Sequence, residues 1–343
     1  MLVPLSRLAS SQASSSSASL SRQGILRNVF ATVTSCLLLG IPAGAFTTRL
    51  AMSAPSGPIV VVTGSNKGIG LEILKKLAPT SSVMILAARD PGRGQVAAQK
   101  LREEGLDNVV FRPLDISSSE SIQQFAAGME KDFGLTDVLV NNAGIAFKNS
   151  DPTPFREQAT PTLKTNFWGT IELIDAMTPL LRKAKIETPR IVNVASQSGR
   201  LSILNTDKNK QEEFSSPGLT RERLSALVSK FEKDVKEGKH KEEGWPNTCY
   251  GMSKLALISF GKVFAHEEKE GKAKRGIGGE GEGRKAIWLA SCCPGWCDTD
   301  MSSHSGPRSA EHGARTPAWL ASKGVEDGAK AGGFFYDEKE INW

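Results

Sequence analysis

Several residue types are scarce in this chain of 343 residues, which contains two tyrosines, four histidines and five cysteines. No apolar run reaches the ~20 residues that a transmembrane helix needs, so no transmembrane helix is predicted. No acidic residue precedes Glu72, which makes the beginning of the chain basic. The remaining composition is ordinary, since 23% charged residues and 33 glycines are typical of globular proteins. The length suits one large domain or two smaller ones.

The formal net charge of +6 comes mainly from the N-terminus. The first 52 residues contain four arginines and no acidic residue, so the rest of the chain has a net charge of only +2. Beyond this segment we find no basic stripe with interleaved aromatic residues. We therefore expect no nucleic-acid partner.

The first 52 residues (1–52) have the composition of a targeting leader. The largely apolar run Val29–Leu39 spans about 11 residues, which matches a signal-peptide core better than a membrane span. Ala43 and Ala45 supply a small-residue cleavage pattern, and Phe46 follows directly. This arrangement resembles the two-part leaders of algal plastids, so we expect plastid import and no stable membrane insertion of the mature protein. The alternatives are a mitochondrial presequence, a secretory signal, or translation from Met52 into the cytoplasm.

The cysteines are crowded rather than spread along the chain, as a secreted disulfide framework would require. Beyond the leader they are Cys249, Cys292, Cys293 and Cys297. No Cys-x-x-Cys pair with zinc-like spacing is present, and we predict no metal site. We expect reduced thiols that act as small buried hydrophobic groups, with Cys293 and Cys297 near the functional pocket.

Short β-branched apolar segments alternate with helical patterns from Pro58 onward, which is typical of βαβ units around a parallel sheet. The predicted strands are Ile59–Thr63, Val83–Ala88, Val109–Pro113, Val138–Asn141, Ile191–Ala195, Ala286–Ser291 and Gly333–Tyr336. The predicted helices cover residues 69–78, 93–104, 119–132, 159–183 and 250–268. Most strands are apolar throughout, as expected when helices cover both faces of a sheet. The sequence therefore predicts an α/β fold at 53–343, a single domain with a doubly wound (Rossmann) parallel seven-stranded sheet and helices on both faces.

Two segments interrupt this alternation. Residues 203–247 are polar and contain one predicted amphipathic helix, whose apolar face comprises Leu224, Val228, Phe231 and Val235. Residues 269–285 are rich in glycine and charge, and they predict a mobile surface loop. Elsewhere, Ser117 and Glu120 have the spacing of a capping box at the start of the third predicted helix.

A glycine-rich turn follows the first predicted strand and opens the first predicted helix. Its glycines have the spacing G-x-x-x-G-x-G, at Gly64, Gly68 and Gly70. Gly64 permits a tight turn, Gly68 lets the backbone approach a pyrophosphate, and Gly70 lets the helix pack on the sheet. A purely structural turn is the alternative. We predict a dinucleotide site to which this turn also contributes Asn66, Lys67 and Ile69.

The end of the second predicted strand indicates which dinucleotide binds. An acidic residue there would hold the adenine-ribose hydroxyls of NAD, but this strand ends at Arg89. Arg89 and Lys67 are cations suited to charge-assisted hydrogen bonds with a 2′-phosphate. We therefore predict NADPH (NADP) as the cofactor. The alternative for Arg89 is a solvated charge at the start of a helix.

Tyr250 and Lys254 lie one turn apart on one face of the last predicted helix. A phenol titrates near ~10, so proton donation and recovery near neutrality need a stabilised anion, which a neighbouring ammonium supplies. This spacing alone is a weak signal, since such pairs arise by chance on exposed helices. The other tyrosine, Tyr336, has no lysine at this spacing.

Together these motifs resemble the short-chain dehydrogenase/reductase family. In chain order, the matching residues are the glycine-rich turn, Asn141-Asn142-Ala143-Gly144, Asn166, Ser196, Tyr250 and Lys254. Within the family, the chain is similar to the monomeric NADPH-dependent carbonyl reductases. The segments that share this similarity are Lys164–Thr170, Glu243–Pro246, Cys292–Trp296 and Thr299–Met301. The resemblance covers residues 57–343.

The resemblance implies four catalytic residues. Tyr250 would donate a proton to the substrate carbonyl oxygen, and Ser196 would hydrogen-bond the same oxygen. Lys254 would lower the pKa of Tyr250 and hold the nicotinamide ribose. Asn166 would bind a water that links Lys254 to solvent. A simple turn cap is the alternative for Ser196.

Contacts to cofactor and substrate are also implied by the resemblance. Asp115 would meet the adenine amine, with helix capping as the alternative. The further cofactor residues would be Asn142, Ala143, Gly144, Pro294, Gly295 and Thr299. The substrate would contact Ser196, Tyr250, Trp296 and Met301, although a buried aromatic belongs to the core more often than to a ligand site.

These features predict an NADPH-dependent reductase of a ketone, aldehyde or quinone, with Tyr250 as general acid. A specialised dehydrogenase or reductase of a terpenoid, steroid or pigment alcohol is the alternative enzyme. A non-catalytic NADPH-binding sensor is a third possibility, which the presence of Ser196, Tyr250 and Lys254 disfavours. Residues 203–247 should cover the face through which related enzymes pair. We therefore expect a monomer whose partner is a small-molecule carbonyl compound.

Overall fold

One sheet organises the chain, and its strands lie close to the predicted positions. The structure, a computed structural model, describes residues 57–148, 150–271 and 285–343. The predicted leader and most of the 269–285 loop lie outside these residues. The strands are β1 (Ile59–Thr63), β2 (Val83–Ala88), β3 (Val109–Pro113), β4 (Val138–Asn141), β5 (Arg190–Val194), β6 (Trp288–Cys292), β7 (Phe334–Tyr336) and β8 (Lys339–Glu340).

The strand order is β3-β2-β1-β4-β5-β6-β7-β8. All pairings from β3 across to β7 are parallel. After β3 the chain crosses to the other side of β1 and continues with β4. The connections from β1 and β4 therefore leave in opposite directions, which opens a crevice at the carboxyl ends of these two strands. The prediction of a doubly wound α/β fold is confirmed.

The sheet has eight strands rather than the predicted seven. The additional strand, β8, pairs antiparallel with β7 and consists of two exposed charged residues. A two-residue turn at Asp337 and Glu338 connects them, and both residues have positive φ, 47° and 60°. Type I′ hairpin turns need this conformation. Two charged residues show no apolar alternation, which is why the sequence did not predict this strand.

Helices cover both faces of the sheet. They are α1 (Gly68–Leu77), α2 (Pro91–Glu103), α3 (Ser119–Phe133), α4 (Phe155–Leu163), α5 (Gly169–Leu181), α6 (Lys208–Ser215), α7 (Arg221–Lys236), α8 (Cys249–Lys269), α9 (Ala310–Gly313) and α10 (Arg315–Ser322). Alternate residues of β1 belong to two separate cores: Ile59 and Val61 pack with α3, α5 and α8, whereas Val60 and Val62 pack with α1, α2 and α10. Among these described helices, none combines the length and apolarity that a bilayer crossing requires.

The predicted helix at 159–183 is two helices, α4 and α5, joined by the π-helical turn Lys164–Trp168. This turn contains Asn166, a residue that is unfavourable inside an α-helix. A π turn widens the helix by one residue and often occurs at functional sites. Here it turns the buried Asn166 side chain towards Ile145, to which it is hydrogen-bonded.

The start of α3 differs from the predicted capping box. The N-cap is Ser118, whose hydroxyl accepts a hydrogen bond from the Ser121 N–H at 3.3 Å. Ser117 instead donates its N–H and its hydroxyl to Asp115 Oδ1, at 2.9 and 2.7 Å. The prediction of Ser117 as the cap was wrong by one residue, because Asp115 binds it in the preceding turn.

The segment 203–247 forms two helices, of which only α7 was predicted. The predicted apolar face of α7 is confirmed, since Leu224, Val228, Phe231 and Val235 are all buried. The shorter α6 buries only Phe214, too little for a periodic signal. Arg221, at the start of α7, donates to Asp175 of α5 at 2.8 Å and to Glu267 of α8 at 2.6 Å. These bonds hold α7 against the helices that flank the sheet.

Candidate active site

The glycine-rich turn between β1 and α1 is closely packed on the end of β4. Gly64 and Gly68 have φ of 62° and 57°, the left-handed conformation that glycine tolerates best. A Cβ built on Gly64 would lie 2.9 Å from Ala143 Cα, and one built on Gly70 would lie 2.5 Å from Asn142 Nδ2. No side chain fits at either position, in agreement with the roles predicted for these glycines.

Asn142 connects the ends of β1 and β4. Its Nδ2 donates to the carbonyl oxygens of Thr63 and Gly64, at 2.9 and 3.2 Å. In return, Thr63 Oγ1 accepts from the N–H groups of Asn142 and Ala143, both at 3.0 Å. The Asn142 amide therefore shapes the crevice through the backbone, and its predicted contact with the adenosine ribose region stays a prediction.

A cleft with a volume of about 570 Å³ lies at this switch in strand order. This volume lies within the range of typical small-molecule sites. Residues predicted to bind cofactor line the cleft, namely Gly64, Asn66, Lys67, Gly68, Ile69, Gly70, Arg89, Asp115, Asn142, Ala143, Gly144 and Thr299. The structure thus brings together five separate segments of the chain. Four other residues predicted to contact the cofactor are not part of this lining: Tyr250, Lys254, Pro294 and Gly295.

Three cations lie at the end of the cleft formed by β2 and the glycine-rich turn: Lys67, Arg89 and Arg93. Arg93, which lies four residues beyond Arg89 in the first turn of α2, was not among the predicted residues. Its Nε lies 3.2 Å from Asp90 Oδ2, and Asp90 also caps α2 through the Arg93 N–H at 2.8 Å. Arg89 is exposed and makes no ion pair with any described residue. Its guanidinium is therefore available to an anionic ligand.

Asp115 lines the cleft at the end of β3. Burial raises its pKa, but the hydrogen bonds from Ser117 outweigh this, and the charges of Arg89 and Lys164 add to them, so that the pKa lies below its usual range. The carboxylate is therefore ionised at neutral pH. It caps the turn before α3 and also faces the cleft, so that both predicted roles have a geometric basis.

The side chains of Tyr250 and Ser196 interact through their hydroxyls. Tyr250 lies in the first turn of α8, which begins with Thr248 as N-cap, whereas Ser196 follows β5. Ser196 Oγ also accepts the Ser198 N–H at 3.1 Å, so that the predicted turn cap exists beside the functional contact. Burial raises the pKa of Tyr250 to about 12, although the Ser196 bond lowers it.

Lys254 is 4% exposed, and its Nζ donates to the Val194 carbonyl oxygen at 2.9 Å. Nζ also lies 5.6 Å from the centre of the Tyr250 ring. Burial lowers the pKa of Lys254 to about 8, so that the ammonium is charged at neutral pH. Burial is the largest effect on the Tyr250 pKa, and the predicted lowering of that pKa by Lys254 stays a prediction. A Cβ built on Gly144 would lie 3.6 Å from Nζ, which places Lys254 at the edge of the cleft.

The side chain of Asn166 is fully hydrogen-bonded. Its Oδ1 accepts the Ile145 N–H at 2.8 Å, and its Nδ2 donates to the Ile145 carbonyl at 2.9 Å and to Ser253 Oγ at 3.0 Å. Ser253, which the sequence analysis missed, donates in turn to the Tyr250 carbonyl at 2.7 Å. Asn166 therefore connects the edge of the cleft to α8, and the water that it would hold between Lys254 and solvent stays a prediction.

The segment after β6 lies at the mouth of the cleft. Met301 lines the cleft and is 42% exposed, whereas Trp296 is 61% exposed and lies outside the lining. Gly295 packs on Arg308, with 2.8 Å between a built Cβ and Cδ of the arginine. The predicted free, buried thiols are confirmed at Cys249, Cys292, Cys293 and Cys297.

Comparison with known proteins assigns the chain to a family. Residues 58–206 match the short chain dehydrogenase family. Carbonyl reductase (NADPH) 1 of Mus musculus is 41% identical over 289 residues, which are 84% of this chain and 99% of that protein. Salutaridine reductase from Papaver somniferum has a similar structure, with a TM-score of 0.70 and 29% identity over 82% of this chain and 99% of the other. Menthone neomenthol reductase from Mentha piperita gives a TM-score of 0.65 and 28% identity over 82% and 98%. This chain therefore belongs to the short-chain dehydrogenase/reductase family.

Proposed function

We propose that this chain is an NADPH-dependent oxidoreductase that reduces the carbonyl group of a ketone, aldehyde or quinone. The observation that supports this most is that the hydroxyls of Tyr250 and Ser196 interact beside the buried Lys254. The relative in mouse, 41% identical, is named carbonyl reductase (NADPH) 1. Together they indicate a site that binds a reduced dinucleotide and protonates a carbonyl oxygen.

The residues of the cleft fit NADPH. Gly64 and Gly68 leave the backbone of the turn free of side chains. A Cβ built on Gly68 would lie 3.5 Å from Cγ2 of Thr299, another residue of the cleft lining. Arg89 and Arg93 supply cationic nitrogens where an adenine-ribose phosphate would lie. When bound, NADPH supplies the hydride.

Tyr250 acts as the general acid. Because its pKa is about 12, the phenol holds its proton at neutral pH and can donate it to the substrate oxygen. Ser196 provides a second hydroxyl at the same place, which stabilises the negative charge that develops on the oxygen. The same high pKa disfavours the phenolate that alcohol oxidation needs, so we expect reduction to be the faster direction near pH 7.

Lys254 holds a positive charge at the edge of the cleft near Tyr250. The charge stabilises the phenolate after proton donation, since an opposite charge favours the ionised form. The bond to the Val194 carbonyl keeps the ammonium in place. Asn166 and Ser253 position the first turn of α8, on which Tyr250 lies.

NADPH oxidation by the purified chain tests this proposal. The substrates are menadione, an isatin-type diketone and a simple aldehyde, with NADH as the cofactor control. Turnover of at least one substrate with NADPH, lost in Tyr250→Phe, is the expected result. No carbonyl turnover, or a clear preference for NADH, would contradict the proposal.

A specialised reductase of a terpenoid, steroid or pigment alcohol is the second candidate. Salutaridine reductase and menthone neomenthol reductase, at 29% and 28% identity, are each named for particular substrates. In this chain, the half-exposed Met301 and the exposed Trp296 offer apolar surface to a bulky substrate. A substrate panel measured in both directions distinguishes the two, because one dominant substrate favours the specialist.

We also propose that the protein is a monomer. The segment 203–247 places α7 against α4 and α8, and Arg221 binds it to Asp175 and Glu267. A face covered in this way is not available for pairing. Light scattering should give the mass of one chain, and a dimer would contradict the proposal.

The localisation proposal is plastid import directed by the first 52 residues. A fusion of these residues to a fluorescent protein, expressed in an alga with a plastid bounded by extra membranes, should accumulate in the plastid. Fluorescence in mitochondria, in the secretory pathway or throughout the cytoplasm would replace this proposal with the corresponding alternative.

A further inference from the structure

A strap, defined here as residues 297–308, follows β6 and reaches across the cleft. Its two ends pair with each other, since the Asp298 N–H donates to the Arg308 carbonyl at 2.7 Å. The Arg308 guanidinium makes two bonds to the Asp337 carboxylate, at 2.7 and 2.6 Å. The base of the strap is therefore anchored to the turn between β7 and β8.

The tip of the strap contacts the glycine-rich turn. Asp300 Oδ2 forms an ion pair with Lys67 Nζ. The other oxygen of Asp300 lies 3.1 Å from His304 Nε2, while His304 Nδ1 lies 2.7 Å from Asp298 Oδ1. The side chains of Lys67 and Asp300 are 57% and 59% exposed. Because both are solvated, this ion pair can exchange with a ligand in solution.

This ion pair places a carboxylate where the cleft must receive phosphate. Of the three cations there, Arg93 is paired with Asp90 and Lys67 with Asp300, which leaves Arg89. A phosphate that binds Lys67 displaces Asp300 and then remains close to its negative charge. Like charges at short distance repel, so the carboxylate of Asp300 weakens the binding of the phosphate.

Asp300 has a second cation to retain it after the exchange. Hydrogen bonds to Asp298 and Asp300 raise the pKa of His304 above its usual value, which favours the imidazolium. Displacement from Lys67 therefore does not require the strap to leave the cleft. The carboxylate stays beside the ligand and opposes it.

We propose that Asp300 limits the affinity for dinucleotides that carry a 2′-phosphate by competing with that phosphate for Lys67, and thereby speeds the release of NADP⁺. This inference rests on the proposed function. It identifies Asp300 as a residue that sets the cofactor dissociation rate. NADH lacks the 2′-phosphate, so its affinity is independent of this competition.

The variant Asp300→Asn tests the inference, because it keeps the size and hydrogen-bonding capacity of the side chain and removes its charge. The measurement is fluorescence titration with NADPH and with NADH in the absence of a carbonyl substrate, and stopped-flow release of NADP⁺. We expect NADPH to bind about two- to fivefold tighter, NADP⁺ to leave correspondingly slower, and NADH binding to stay unchanged.

Two further variants control this experiment. Glu311→Gln removes an exposed carboxylate that pairs with Lys76 at 3.2 Å outside the cleft, and it should leave NADPH binding unchanged. Lys67→Met should weaken NADPH binding, and Asp300→Asn should have no effect on that background.

Each other outcome overturns the inference. Three results for Asp300→Asn would contradict the competition. The variant could bind NADPH no tighter than the parent, or its affinity for NADH could rise as much as its affinity for NADPH. The substitution could also still raise the affinity for NADPH in the Lys67→Met background. If the parent chain binds no NADPH, both this inference and the proposed function are wrong. If the parent binds NADPH and reduces carbonyls while Asp300→Asn behaves like the parent, only this inference is wrong.

Discussion

Lys254 donates a hydrogen bond from Nζ to the main-chain oxygen of Val194, over 2.9 Å. The bond connects the second turn of α8 to the end of β5, at the carboxyl edge of the sheet. It neutralises no charge, since the acceptor is a carbonyl and not a carboxylate. The ammonium therefore remains a net positive charge in a buried place, which is why its pKa falls to about 8.

This burial predicts a pH limit for catalysis. Lys254 is charged below its pKa of about 8 and neutral above it, whereas Tyr250, with a pKa of about 12, stays protonated. Carbonyl reduction should therefore decline as the pH rises through about 8, measured as kcat/KM. Lys254→Arg keeps its charge in this range, so its lower residual activity should lack the decline. A parent profile that is flat up to pH ~10 would contradict the assignment.

Loss of the general acid should affect turnover and not cofactor binding. Tyr250→Phe removes the hydroxyl that donates the proton, and we expect kcat to fall by about 10²- to 10⁴-fold. The Kd for NADPH should change by less than about twofold. Tyr336→Phe is the matched control, because its ring, under Arg308, lies outside the site. Equal losses in both variants would indicate a structural effect.

Cofactor preference should depend on Arg89. Replacement by alanine removes a charged hydrogen-bond donor worth about 1.5–3 kcal/mol, so the KM for NADPH should rise about 10- to 100-fold. The KM for NADH should stay nearly constant. Arg156→Ala, an exposed arginine paired with Glu157, serves as the control for loss of surface charge. If NADPH and NADH weaken together, Arg89 has a role other than phosphate binding.

Asn166 should contribute to both stability and turnover. Asn166→Ala leaves the N–H and carbonyl of Ile145 unpaired, and we expect the free energy of unfolding in urea to fall by about 1–3 kcal/mol. The kcat should fall as well, because α8 loses its connection to the cleft. Asn108→Ala is the control, since the Asn108 amide also bridges two carbonyls, both at 2.8 Å, away from the site. That variant should lose stability and retain kcat.

The loop at 269–285 should be dispensable for catalysis. Lys285 Nζ donates to the carbonyls of Ala184 and Ile186, at 2.8 and 2.7 Å, beside the amino end of β6. The other flank, Lys269, is 19 residues from Tyr250 along α8, a rise of roughly 28 Å. Replacing residues 273–283 with a short Gly-Ser linker should leave kcat/KM unchanged. A clear change would show that the loop reaches the site.

The sequence located most of the fold because its strands are local apolar runs. The bounds of β1 to β4 match the prediction, and β5, β6 and β7 differ by one or two residues. Helices α9 and α10 were not predicted. Three other misses have physical causes: β8 is held by a turn conformation, α6 by one buried phenylalanine, and the π turn by a hydrogen bond to Ile145. None of these leaves a periodic pattern in the sequence.

The amino-acid sequence by itself determined the composition of the site, because Gly64 and Arg89 follow strand ends, Gly68 begins α1, and Tyr250 and Lys254 lie one helical turn apart. Only the tertiary structure decided their charge states, since the pKa values of Tyr250 and Lys254 depend on burial beneath distant segments. It also decided the pairing of Lys67 with Asp300, which lie 233 residues apart. Local spacing reveals which groups are present, whereas contacts and desolvation, which determine what those groups can do, arise only when the chain folds.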